Sequence, residues 1–296
     1  EGIRFEKAYL TSPQSSPSRT SMMTGQFAHT IGTEDLHNPL DGSTKMMPYY
    51  FNQAGYSTGV MLKTHWGANG DKQFTHVIKG GYKPNQGDLT EELYRNYRKF
   101  LDDSKEQPFF LWVGFIDPHR PYNREVCPQV NKPEDVKIPP FLVDAADTRR
   151  DMADYYDEIS RMDRNIGIML GELEKRGEQL DNTIIVFMSD NGRPFPRCKG
   201  SLYDTGIQTP LIFVWDKHIN PNTVHSNGLV SSVDLAPTLL DLVGINMPDT
   251  VYGRSFKELL FDPTKRGRDY IFAERNWHDT DEYIRCVRTE RYKFIY

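Results

Sequence analysis

Short runs of continuous apolar residues alternate along the chain with longer segments whose apolar positions recur every three or four residues. The runs Pro108–Ile116, Thr183–Met188 and Pro210–Trp215 read as strands buried on both faces. A weaker run, Tyr56–Leu62, follows a short helical stretch at Met46–Ala54. Between the runs lie amphipathic helices. Leu93, Tyr97, Phe100 and Leu101 form one stripe, opened by Asp88 and Glu91 at capping-box spacing. A longer helix over about Thr148–Arg176 carries Met152, Tyr156, Ile159, Met162, Ile166, Met169, Leu170 and Leu173, with Gly177 as its stop. Another covers Val233–Val243 and ends at Gly244. This alternation predicts an α/β fold with a largely parallel sheet. Residues 117–147 are rich in proline and polar groups and read as a long surface excursion.

Three of the predicted strands end in polar clusters: Lys63-Thr64-His65, Asp117-Pro118-His119-Arg120 and Ser189-Asp190-Asn191-Gly192. In an open parallel sheet the carboxyl ends of the strands line one edge, where ligands bind, so these clusters are expected to converge. Ser15 to Gly25 reads as a short helix with Pro17 in its first turn and Gly25 at its end. Its unpaired N–H groups, with Arg19 one turn in, would make a site for an anion. Alone, the segment reads equally well as a capped surface helix.

Composition narrows the classes. The 296 residues are 38% hydrophobic and 26% charged, enough apolar mass for a sizeable core, which excludes disorder. The net charge of −5, with no long basic run, argues against a nucleic-acid binder. No apolar run approaches the ~20 residues of a membrane span. The three cysteines, Cys127, Cys198 and Cys286, form neither a metal-type pair nor a disulfide framework.

The spacing Ser15-x-Pro17-x-Arg19, followed by Thr24-Gly25, resembles the signature of the sulfatase family, in which the first residue is oxidised to formylglycine. Lys63-x-His65 resembles the family's Lys-x-His pair, Asp190-Asn191 its metal-binding pair and Lys199 its second sulfate-binding lysine. Residues 233–245 resemble its late helix. Within the family, Phe115–Arg120, Arg161-Met162-Asp163, Asp190–Pro196 running on to Leu202-Tyr203, and Leu36-His37 resemble the sulfamidases. The resemblance implies an alkaline-phosphatase-like sheet flanked by helices over residues 1–265. The beginning of a small C-terminal antiparallel sheet would occupy residues 266–296.

The resemblance further implies a formylglycine hydrate derived from Ser15 that attacks sulfur and then releases sulfate, with Ca²⁺ held by Asp190, Asn191 and residue 15. Arg19 would hold the nucleophile and the metal ligands, and Lys63 and Lys199 would neutralise sulfate oxygens. His119 would protonate the leaving group, and His65 would assist at the formylglycine hydroxyl. His37 and His278 are the candidate sugar contacts; the segment Glu274–His278 reads equally well as a polar loop. Without the resemblance, His65 and His119 read as ordinary strand-end histidines, and Lys63 and Lys199 as solvated charges. Serine at position 15 points to the bacterial branch matured by a radical maturase, hence to a periplasmic or secreted protein. Both ends read as cut, with the family's adjacent Asp pair expected upstream of Glu1. The expected activity is removal of sulfate from a sulfated sugar, N-sulfoglucosamine of heparan-type glycans first. The alternatives are a glycan O-sulfatase, a phosphonate or phosphate monoester hydrolase of the same superfold, and a catalytically silent sulfatase-like binding module. Oligomeric state is not legible.

Overall fold

The computed structural model describes residues 2–79, 90–177 and 180–296, which fall into two compact units. The first comprises Glu1–Thr58, His65–Thr75 and Gln179–Tyr296, and the second Gly59–Thr64 and His76–Glu178. In chain order the elements up to the second unit's long helix are β1 (Ile3–Phe5), β2 (Ala8–Tyr9), α1 (Ser15–Thr24), α2 (Met47–Gln53), β3 (Ser57–Leu62), α3 (Ala68–Asp71), β4 (His76–Ile78), α4 (Thr90–Asp103), β5 (Phe109–Gly114) and α5 (Ala146–Lys175). After it come β6 (Ile185–Met188), α6 (Asp204–Ile207), β7 (Leu211–Val214), β8 (Thr223–His225), β9 (Val230–Ser231), α7 (Leu235–Leu242), α8 (Lys257–Phe261), β10 (Tyr270–Arg275), β11 (Ile284–Thr289) and β12 (Lys293–Ile295).

In the first unit a four-stranded sheet has the order β6-β7-β1-β8. β7 runs antiparallel to both its neighbours, whereas β1 and β8 are parallel. Phe5, Phe213 and Phe256 meet edge-to-face beside this sheet, with ring centroids 5.4–6.2 Å apart. A second antiparallel sheet, β10-β11-β12, closes the chain. α1 is buried along its whole length although six of its ten residues carry a hydroxyl. Burial of so polar a helix is tolerated because hydroxyls turn back on the backbone: Thr20 Oγ1 donates to Ser16 O and Thr24 Oγ1 to Thr20 O. Gly25 ends the helix at φ 70°, the left-handed cap expected there.

In the second unit the sheet order is β4-β3-β5. The α4 stripe Leu93, Tyr97, Phe100 and Leu101 is buried against Met61, Met169 and Leu173, as the periodicity predicts; its expected cap, Asp88, lies outside the described residues. Two expectations need correction. β5 and β6 are half-buried over most of their length rather than buried on both faces, because each ends its sheet. The buried face of α5 is also partly polar: Asp157, Glu158, Arg161 and Asn165 are buried, while Ile159, Met162 and Ile166 are only half-buried. The reason is the 117–131 excursion, which packs on that face and is fixed by it.

Candidate active site

The first unit assembles most of the sequence-predicted residues around the start of α1. Ser15 Oγ donates to Asn191 Oδ1 at 3.1 Å. One turn on, Arg19 Nε donates to Asp190 Oδ2 at 2.7 Å, both side chains largely buried. A charged bond of this kind, shielded from water, is stronger than an exposed ion pair. The turn after β6 is itself fixed: Ser189 Oγ donates to Asn191 O at 2.8 Å and Gly192 N to Gly206 O at 2.9 Å. Gly192 is required here, since a Cβ would lie 2.1 Å from Thr205 O.

Lys199 reaches the same place because Lys199 N bonds Arg193 O and Gly200 N bonds Pro13 O, both at 3.0 Å. Burial lowers its pKa, with Asp190 opposing that shift and Arg19 adding to it. Asp279 also acts on Lys199, and Asp279 Oδ2 lies 2.6 Å from His278 Nδ1. His278 therefore stands beside the lysine's surroundings through its neighbour. The segment is brought there by β10, whose Glu274 N donates to Thr11 O, just before α1.

His37 and His65 form a pair, His37 Nδ1 lying 2.7 Å from His65 Nε2. Residue 37 is pinned to the signature helix by its own N–H, which donates to Ser16 Oγ at 2.9 Å. Ser16 was not singled out in the sequence, where it is an anonymous position inside the signature.

Lys63 and His119 belong to the second unit. Lys63 N donates to Gly114 O at 2.9 Å, so Lys63 leaves β3 beside the end of β5, from which the Asp117–Arg120 cluster departs. His119 Nδ1 donates to Arg120 O at 2.6 Å, which places a proton on Nδ1. The loop rests on one face of α5. Arg161 grips Asp117 with two bonds of 2.7 and 2.8 Å, Asp151 takes Arg120, Asp154 takes Arg124, and Asp157 accepts the amides of Val130 and Asn131. Glu158 Oε1 accepts Asn123 N and lies 3.8 Å from Arg161 Nη2. Burial, reinforced by Asp117, pushes the Glu158 carboxyl up to about 7. Sequence reasoning missed this polar platform. Its signal was present as charged residues at 151, 154, 158 and 161, one face of a helix.

Asp190, Asn191 and residue 15 offer a carboxylate, an amide oxygen and a hydroxyl, the hard donors a Ca²⁺-type cation takes. Among the described residues no group of three or more His, Cys, Asp or Glu is placed to hold a metal. The chemistry of this donor set fits such a cation, and its number supplies only part of the six to eight oxygens that Ca²⁺ prefers.

The family model for sulfatases matches residues 1–245. The chain belongs to the sulfatase family. A second model, the C-terminal region of N-sulphoglucosamine sulphohydrolase, matches residues 198–296. Human N-sulphoglucosamine sulphohydrolase is 32% identical over 276 residues, covering 83% of this chain and 55% of the relative, so the chain spans about half that protein's length. A solved structure described as in complex with its substrate D-glucosamine-2-N,6-O-disulfate superposes with a TM-score of 0.80 at 22% identity, covering 100% of this chain and 81% of the other. A phosphonate monoester hydrolase from Silicibacter pomeroyi gives 0.77 at 19% identity, covering 100% and 80%. These likenesses show the alkaline-phosphatase-like α/β fold with its small C-terminal antiparallel sheet. No helix among the described residues is long and apolar enough to cross a membrane.

Proposed function

We propose that the protein is a sulfohydrolase acting on a sulfated sugar, with N-sulfoglucosamine of heparan-type glycans as its substrate and a formylglycine made from Ser15 as its nucleophile. The observation that carries this reading is the coupling of Ser15 to Asn191 and of Arg19 to Asp190 at the start of a buried helix, in a chain of the sulfatase family. The match of residues 198–296 and the identity to the human sulphohydrolase support the sugar assignment.

A formylglycine, once hydrated by water, would supply two hydroxyls on one carbon, one to attack sulfur and one to expel sulfate afterwards as the aldehyde re-forms. A divalent cation, when bound by Asp190, Asn191 and residue 15, would supply positive charge beside the sulfo group. Arg19 keeps Asp190 oriented. Lys199, and Lys63 from the second unit, would balance sulfate oxygens, and the lowered pKa of Lys199 reflects the desolvation of that position. His119 would give a proton through Nε2 to the departing amine, and His65 would take one from a hydroxyl of residue 15. Convergence of Lys63 and His119 with the first unit's residues is part of this proposal, as are maturation by a serine-type maturase and a periplasmic or secreted location.

The test is peptide mass spectrometry together with a substrate panel on the full-length protein from its own host. Residue 15 should be lighter than serine by two hydrogens and trapped by carbonyl reagents, and N-sulfated glucosamine should be turned over. Intact serine alone removes the mechanism and favours a silent binding module. Turnover of 6-O-sulfated N-acetylglucosamine or of a phosphonate ester, with N-sulfated glucosamine untouched, moves the assignment to those rivals.

A further inference from the structure

His37 and His65 face each other in an arrangement that the order of the sequence does not disclose. Their rings are 4.8 Å apart between centroids and tilted by 38°, with Nδ1 of His37 at 2.7 Å from Nε2 of His65. Both residues sit in the left-handed region, at φ 75° and φ 76°. For a non-glycine residue that conformation is strained, so neighbouring structure must hold it. It does so from several sides. His37 N is bound to Ser16 Oγ, Leu36 N to Trp277 O, Trp277 N to Asp35 Oδ1, and Leu40 N to Trp66 O. The loop 35–40 is thus stitched to the signature helix, to the 277 segment and to the residue following His65.

We propose that His37 is a positioning residue for His65, setting its tautomer and ring orientation, rather than a reader of the sugar; this rests on the role given to His65 above. A nitrogen pair at 2.7 Å must share one proton. If His37 Nδ1 donates, His65 carries its own proton on Nδ1; if His65 Nε2 donates, its Nδ1 is an acceptor. Either arrangement commits Nε2 to His37 and fixes which form Nδ1 presents to the reaction. Residue 37 is exposed and residue 65 half-buried, so the pair also connects the inner ring to solvent. A histidine oriented by a second group, as in a catalytic triad, depends on that group for its tautomer, and losing the orienting partner costs orders of magnitude in rate.

The test uses two variants of the full-length, matured protein. His37→Gly removes the ring and at the same time relieves the left-handed strain, so that a loss cannot come from strain. His37→Asn keeps a hydrogen-bonding atom near the position of Nδ1 and tolerates the same backbone. The expected result for His37→Gly is a fall in kcat of about tenfold or more, alike on N-sulfated glucosamine and on a small aryl sulfate, with KM little changed and with substantial rescue in His37→Asn. A rise in KM confined to the sugar, with aryl sulfate turnover intact, overturns the proposal and restores His37 as a sugar contact. Nitrogen-15 shifts of the His65 ring provide a reading free of turnover. One tautomer in the wild type that gives way to a mixture in His37→Gly supports the proposal, and unchanged shifts overturn it. A wild type that turns over neither substrate refutes the functional reading, while the ring shifts still decide whether His37 sets the state of His65.

Discussion

Glu158 gives the sharpest quantitative test of the polar platform on α5. It is buried, it shares Arg161 with Asp117, and its carboxyl titrates at about 7 instead of the ordinary 4.5, chiefly because burial penalises the anion and secondarily because Asp117 repels it. One arginine facing two carboxylates balances a single negative charge, so the second is more stable as the neutral acid. Between these two values the folded protein holds a proton that the unfolded chain releases. Stability must then fall as pH rises: the proton's contribution is complete below 4.5 and is lost as pH passes about 7. At about 1.36 kcal/mol per pH unit the interval corresponds to roughly 3 kcal/mol. Glu158→Gln imitates the protonated acid and still accepts the Asn123 amide. In urea unfolding at a series of pH values, the variant should match the wild type near pH 5 and exceed it by up to ~3 kcal/mol near pH 8. Parallel stability profiles for the two proteins would refute the claim that Glu158 is neutral in the fold at low pH.

Other consequences follow from single contacts. Arg268→Ala strands Asp234, a carboxylate 3% exposed and held by two bonds of 2.5–2.6 Å, and should cost about 3–5 kcal/mol in urea unfolding; a loss below about 1 kcal/mol would contradict the pairing. Gly192→Ala drives a methyl group to 2.1 Å from Thr205 O, so it should destabilise by about 1–3 kcal/mol and disturb residue 15 through Asn191; an unchanged melting temperature and turnover would contradict it. His119→Ala should slow substrates with poor leaving groups ~10²–10⁴-fold and activated aryl sulfates far less, measured as kcat/KM; equal losses would indicate binding instead of proton donation.

Long apolar runs and strongly periodic helices were legible because a single physical demand, burial of one face, writes itself at fixed spacing. α4 follows that rule, and α5 begins and ends within two residues of its expected limits; the signature helix, buried on every side, was legible instead from Pro17 in its first turn and Gly25 at its end. The strands β1, β2, β4, β8 and β9, of two or three residues each, carry too few positions to show a period. The antiparallel setting of β7 is invisible for another reason: a buried strand has the same composition in either direction. The α5 platform escaped because its buried groups are charged, and charge reads as solvent exposure until a partner is known. Here the partners are the amides and arginines of residues 117–131, an excursion that sequence shows only as irregular.

The arrangement also bears on where discrimination among substrates resides. On the proposed reading, a lysine, an arginine-held carboxylate and a serine-derived hydroxyl would meet a tetrahedral oxyanion alike whether its centre is sulfur or phosphorus. The groups around the start of α1 would then not by themselves tell an N-sulfate from an O-sulfate. The segments 35–40 and 276–279 differ in kind: they are irregular, they hold none of the groups proposed to bind the anion, and they are bonded to each other through Leu36, Asp35 and Trp277. Residues 274–279 also lie within the stretch matched by the N-sulphoglucosamine sulphohydrolase family model. Loops bonded to one another are coupled, so a substitution in one of them is expected to be felt in the other. Selectivity for the sugar is therefore expected to change with substitutions at residues 35, 36 and 277 that leave residue 15 and its partners unaltered.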